Sequence, residues 1–258
     1  MHVLILGGTT EARRLAQAVC DARPEWRVTT SLAGRVARPL LPVGEVRTGG
    51  FGGADGLARA LRELHVDALI DATHPFAGTI SFHAATAATE AHVPLLALRR
   101  PGWVPTEGDN WHRVASLEDA ATSLPALGRR AFLTVGRQGV PAFASVDDVF
   151  FLVRAVDPPE PPLPGHTQVL LSRGPFTLED ERALLQEHQI DVLVTKDAGG
   201  SATSAKLVAA REAGIPVIVV ERPPVLASVQ RVGSVAEVMD WLGQLSPWGS
   251  PRTESGGV

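Results

Sequence analysis

Tyrosine is missing from this chain of 258 residues, and cysteine occurs once. The first absence removes every mechanism that needs a tyrosine acid, including the Tyr-x-x-x-Lys pair of short-chain dehydrogenases. The lone thiol, Cys20, can form no intrachain disulfide, no Cys-x-x-Cys pair and no thiolate zinc cage. Its apolar helical surroundings mark it as a core residue. The 8 histidines are scattered, with no His-Glu-x-x-His spacing, so no metal site is expected. No apolar run reaches the ~20 residues of a membrane span. The opening MHVLILGG lacks a charged region and a cleavage site, so it is expected as a strand of a cytoplasmic protein. A net charge of −4 leaves no global basic field for nucleic acid or membranes, so an anionic ligand must be held by local groups.

What is present is an alternation of short apolar runs with segments of helical period. Strands are predicted at 3–6, 27–31, 45–47, 68–71 and 95–98, and helices at 11–21, 54–64 and 79–91. The pattern restarts after Pro125, with strands at 131–135, 149–153, 168–172, 192–195 and 217–220 and helices at 178–188, 204–213 and 235–245. Near-continuous apolar strands between helices indicate parallel sheets covered on both faces, with functional loops at the strand C-termini. Residues 157–166 carry five prolines and form a stiff loop. Two passages echo each other. AATEAHVPLLALRRP ends at Pro101 and AAREAGIPVIVVERP at Pro223, with Ala88, Glu90, Pro94 and Arg100 recurring 122 positions later. RVASLEDA from Arg113 similarly matches RVGSVAEV from Arg231. The chain therefore reads as α/β with two Rossmann-like lobes, residues 1–125 and 126–245, followed by a flexible tail, 246–258. Strand order, and exchange of an element between lobes, are left open.

Several strand ends carry chemistry. In LILGGTTEARRLA, Gly7 and Gly8 turn the chain into a helix whose N-terminus favours phosphate, and Thr9 and Thr10 can donate hydroxyls or cap it. The third glycine of a full dinucleotide fingerprint is missing. An acidic residue at the end of the second strand would select NAD. Ser31 stands there instead, followed by Arg35 and Arg38, which suits a 2′-phosphate and so NADPH. Gly50, Phe51 and Gly52 belong to a glycine-rich loop that either wraps a cofactor or merely links elements. DATHPFA places Asp71, Thr73, His74, Pro75 and Phe76 at a strand end, where His74 can move a proton, bind a carboxylate or serve the loop alone. The second lobe adds TVGRQG, SRGPF and TKDAGG, with Arg137, Arg173 and Lys196 each just past a strand. These cations suit a ligand with many carboxylates, or phosphates.

Taken together and in this order, ILGGTTEAR, SLAGR, GGFGG, DATHPFA, TVGRQ, SRGPF and TKDAGG resemble the precorrin-6A reductase family over nearly the whole chain. The resemblance implies two Rossmann-like lobes with the active site between them, an N-terminal NADPH lobe and a C-terminal substrate lobe. The implied reaction is NADPH-dependent reduction of one double bond of the precorrin-6A macrocycle. It also implies cofactor contacts from Gly7, Gly8, Thr9, Thr10, Glu11, Ser31 and Arg35, joined by Gly50, Phe51 and Gly52. Substrate-facing residues are Asp71, Thr73, Pro75, Phe76, Arg137, Gln138, Arg173, Gly174, Gly199 and Gly200. The proton comes from His74, Lys196 or water. A cobalt-containing precorrin-6A remains a rival substrate. A non-enzymatic NADP(H) sensor is a rival of another class, and a sugar-nucleotide or phosphoryl-handling enzyme would need a P-loop lysine or an acidic pair that the sequence lacks.

Overall fold

A computed structural model of the protein describes residues 1–34, 36–201, 203–224 and 226–245. Arg35 and the expected tail, 246–258, lie outside the described residues. In chain order the elements begin β1 (His2–Leu6), α1 (Thr10–Ala22), β2 (Arg27–Leu32), β3 (Glu45–Thr48), α2 (Gly53–Glu63), β4 (Ala68–Asp71), α3 (Gly78–Ala91) and β5 (Leu95–Leu98). Next come β6 (Trp111–Val114), α4 (Leu117–Ser123), β7 (Arg130–Thr134), β8 (Phe150–Ala155) and β9 (His166–Leu171). The chain closes with α5 (Leu178–Glu187), β10 (Val192–Lys196), α6 (Ala205–Glu212), β11 (Val217–Val220), β12 (Gln230–Val232) and α7 (Val235–Leu245).

Two compact units result. The first takes Met1–Arg100 and, among the described residues, 226–245; the second takes Pro101–Pro224. Each holds a 6-stranded sheet, in the orders β3-β2-β1-β4-β5-β12 and β9-β8-β7-β10-β11-β6. Every pairing is parallel. Both orders are that of the doubly wound dinucleotide fold, reversing direction beside β1 in one unit and β7 in the other.

The expected boundary at residue 125 is corrected by the edge strands. β6 pairs with β11 and so belongs to the second unit, while β12 pairs with β5 and closes the first. Each unit is thus completed by a strand and helix that follow the other unit's fifth strand in sequence. The echo of RVASL and RVGSV located the repeat, but two alike edge segments give no sequence signal for which sheet each will join.

Sequence periodicity explains the layers. Successive residues of a strand face opposite sides of its sheet. In the first unit Val3, Ile5, Ala68 and Ile70 pack with Leu15, Val19, Val238 and Leu242 of α1 and α7. Leu4, Leu6 and Leu69 pack on the other face with Leu57, Leu61, Ala84 and Ala87 of α2 and α3. In the second unit Phe132, Leu152, Leu193, Val217 and Val219 face Leu185, Leu207 and Ala210 of α5 and α6. Among the described residues no helix is long and apolar enough to cross a membrane.

Candidate active site

In a doubly wound sheet the ligand crevice opens beside the first strand, at the carboxyl ends where the order reverses. In the first unit that point lies between β1 and β4, which the two most informative motifs follow. Gly7 donates its N–H to the Ser31 carbonyl at 2.9 Å, and a Cβ on Gly7 would lie 2.6 Å from Thr30 Cγ2. Gly8 has φ +105°, with open space where a side chain would stand. Thr9 caps α1, its hydroxyl accepting from Ala12 N at 3.1 Å and donating to the Ala72 carbonyl at 2.8 Å. That hydroxyl therefore joins the two loops. Thr10 accepts from Arg13 Nη2 at 3.2 Å, and Glu11 accepts from Arg100 Nη1 at 2.6 Å. Thr9, Glu11, Ala72, Thr73, Pro75, Leu98 and Arg100 line a shallow pocket at this point.

The DATHPFA loop is held from within. Asp71 is 2% exposed, and its Oδ1 accepts from Thr73 N at 3.1 Å and Thr73 Oγ1 at 2.6 Å. Its Oδ2 pairs with Arg99 Nη2 at 2.5 Å, and Arg99 also donates to the Thr73 carbonyl and to Ser81 Oγ. Asp71 and Thr73 therefore shape the loop rather than reach outward. Pro75 is buried, and His74 and Phe76 are half-buried with ring centroids 5.9 Å apart. Phe76 N–H donates to His74 Nδ1 at 3.3 Å, so the proton of a neutral imidazole sits on Nε2.

At the ends of β2 and β3 the structure adds a residue that the sequence did not single out. Arg47 pairs in register with Ser31 and donates from Nη1 to Ser31 Oγ at 3.3 Å. It also donates to the Gly49 and Gly50 carbonyls, each at 2.7 Å, and its guanidinium lies 3.8 Å over the Phe51 ring. Gly50 and Phe51 are thereby pinned beside Ser31, and Gly52, at φ +80°, stands at the N-cap of α2. The signal for it was an arginine at a strand end next to a glycine-rich loop.

The second unit presents its own edge. Gly136 and Arg137 follow β7, Arg173 and Gly174 follow β9, and Lys196 ends β10. Arg137 and Gly174 are half-buried, and Gln138 and Arg173 exposed. Arg137 lies 3.9 Å from Glu160 at the surface. Burial holds the Lys196 ammonium below its ordinary pKa. Gly199, at φ +66°, lies where a Cβ would meet the Pro101 carbonyl at 2.1 Å, so it shapes the loop. Asp197 accepts from Trp103 N at 3.0 Å, and Gly200 O accepts from Trp103 Nε1 at 2.9 Å. Among the described residues no group of three or more His, Cys, Asp or Glu could hold a metal ion.

The family described as Precorrin-6x reductase CbiJ/CobK matches residues 2–243. A precorrin-6A reductase of Rhodococcus erythropolis is 55% identical over 245 residues, covering 95% of this chain and 98% of that protein. One from Mycobacterium tuberculosis is 47% identical over 245 residues, with the same coverage of 95% and 98%. A cobalt-precorrin-6A reductase of Priestia megaterium is 30% identical over 239 residues, covering 86% of this chain and 91% of that one. A solved structure described as CobK precorrin-6A reductase matches with a TM-score of 0.89 at 40% identity, covering 97% of this chain and 100% of that one. The chain belongs to the precorrin-6x reductase family.

Proposed function

We propose that the protein reduces one ring double bond of precorrin-6A to give precorrin-6B, with NADPH as reductant, in cobalamin biosynthesis. The observation that carries this reading is the contrast between the two carboxyl edges. One is a glycine-turned edge whose Glu11 and Asp71 are paired with Arg100 and Arg99, and the other bears Arg137, Arg173 and Lys196. The first suits a dinucleotide and the second a ring with many acetate and propionate groups. The metal-free substrate is favoured over the cobalt form because relatives named for it are 55% and 47% identical, against 30% for the cobalt-precorrin-6A reductase.

The residues of the first unit fit a nicotinamide dinucleotide. Gly8 leaves open space over the N-terminus of α1, where unpaired backbone N–H groups favour a pyrophosphate. Ser31 brings no carboxylate to repel a 2′-phosphate, and Arg47 beside it joins Arg35 as a cation for that group. When bound, the cofactor supplies hydride to one carbon of the double bond. The chain must then orient the ring and deliver a proton to the adjacent carbon.

Lys196 is the stronger candidate donor. Its lowered pKa makes the ammonium a better acid near neutrality, and burial supplies the shift. Only the protonated form donates, so turnover falls as pH rises through that lowered pKa. His74, with its proton on Nε2, is the second candidate. Asp71 and Thr73 serve as positioning residues for His74, Pro75 and Phe76.

Anaerobic incubation with NADPH and precorrin-6A, followed by absorbance, tests the reading, with a cobalt-precorrin-6A arm beside it. Loss of NADPH absorbance matched by a change in the macrocycle spectrum is expected. NADPH binding with turnover of neither macrocycle would identify a sensor instead.

A further inference from the structure

Beneath the carboxyl edge of the second unit lies a buried group of charges that neither motif nor mechanism has used. Arg154 on β8, Glu181 in the first turn of α5 and Lys206 in the first turn of α6 are 8%, 1% and 4% exposed. Arg154 Nη2 pairs with Glu181 Oε1 at 2.7 Å, while Glu181 Oε2 has no hydrogen-bond partner. The Lys206 ammonium lies 5.2 Å from the Trp103 ring centroid, close enough to Arg154 and Glu181 to feel both charges.

Two substrate-edge loops rest on this group. The Arg154 guanidinium is stacked 3.6 Å from the ring centroid of Phe176, the last residue of SRGPF, and 4.8 Å from that of Phe132. Phe176 therefore ties Arg173 and Gly174 to a buried cation. Trp103, which covers Lys206, is fixed to TKDAGG by its bonds to Asp197 and Gly200. A buried pair is weak evidence of stability, because desolvation offsets much of the attraction. A third buried charge, sharing one carboxylate with the Arg154 guanidinium, is costlier still. A place under two ligand loops gives such a cluster a use.

We propose that Arg154, Glu181 and Lys206 form a positioning platform under SRGPF and TKDAGG, and that gain or loss of the Lys206 proton tunes affinity for the anionic substrate without touching it. The substrate part rests on the function proposed above. The groups facing Lys206 are Arg154 from β8, Glu181 from α5 and the Trp103 ring. Burial first, then the Arg154 charge, lowers its pKa to about 7, against an opposing pull from Glu181. Below that pH the cluster carries a net positive charge; above it the charges cancel.

Two readouts test this. The first needs no substrate: the emission that Trp103→Phe removes should titrate near neutrality in the wild type. It should stop titrating in Lys206→Met, and should move to lower pH in Glu181→Gln, which takes away the stabilising counter-charge. The second is kinetic. The wild-type KM for precorrin-6A should rise about threefold as Lys206 deprotonates, the scale of one charge acting from roughly 10 Å. Lys206→Met should hold KM at the high-pH level and Lys206→Arg at the low-pH level, with kcat within about twofold in both. A Trp103 titration that persists unchanged in Lys206→Met, or wild-type pH dependence of KM in that variant, overturns the proposal. Should precorrin-6A not be turned over at all, the substrate reading fails, and the emission titration alone decides whether the platform stands.

Discussion

After β1 the first unit places two glycines and a threonine-capped helix; after β7, its counterpart in the second unit, stand Gly136 and Arg137. β4 ends in an aspartate whose oxygens are taken by Thr73 and Arg99, whereas its counterpart β10 ends in Lys196, half-buried and below its ordinary pKa. At the third strand of each sheet, Arg47 is folded back over Phe51, while Arg173 beyond β9 is exposed. The strand order is the same in both units. Order fixes where a ligand can sit, and the side chains at the strand ends decide which ligand that is.

The comparison can be broken at its base. Ending the chain after Pro224 removes β12 and α7, and with them Val238 and Leu242, both fully buried in the first unit's core. Each such side chain contributes about 1.5–3 kcal/mol of burial, and Leu96 and Leu98 would lose their cover. The truncated chain should lose NADPH binding and its cooperative melt. A truncated chain that melts and binds like the intact one would show that the exchanged strand is dispensable.

Next in size is Lys196→Met, which should lower kcat by about 10²–10⁴-fold and abolish the alkaline fall in turnover. His74→Ala measured beside it ranks the two candidates; the larger kcat loss and the loss of the pH limb should fall on Lys196. Smaller again is Ser31→Asp, which sets a carboxylate beside Arg47. It should shift preference from NADPH toward NADH by roughly ten- to a hundredfold in the ratio of kcat/KM values. Smallest are Arg137→Ala and Arg173→Ala. Each should raise KM for precorrin-6A by only a few fold, less at high salt, because both groups reach solvent.

Much of this was legible in the sequence. The strands at 68–71, 95–98 and 217–220 and the helix at 235–245 occur at the limits periodicity gave, since each is an uninterrupted apolar or amphipathic run. The edge strands β6 and β12 were not, because three or four residues with one covered face carry almost no pattern. The glycine turn was readable because Gly7 and Gly8 answer to backbone geometry. Asp71 was misread as outward-facing, since sequence shows a carboxylate but not the Arg99 that occupies it 28 positions away. Arg47, Arg154 and Lys206 were silent for the same reason: their meaning lies in partners on other elements.

The division of labour between the two edges is tested most directly by paired Michaelis constants in Ser31→Asp and Arg173→Ala, each measured for NADPH and for precorrin-6A. Ser31→Asp should raise KM for NADPH and leave that for precorrin-6A within about twofold, and Arg173→Ala should do the reverse. If either substitution raised both constants equally, or the two effects appeared on the opposite substrates, the assignment of dinucleotide to one edge and macrocycle to the other would be wrong.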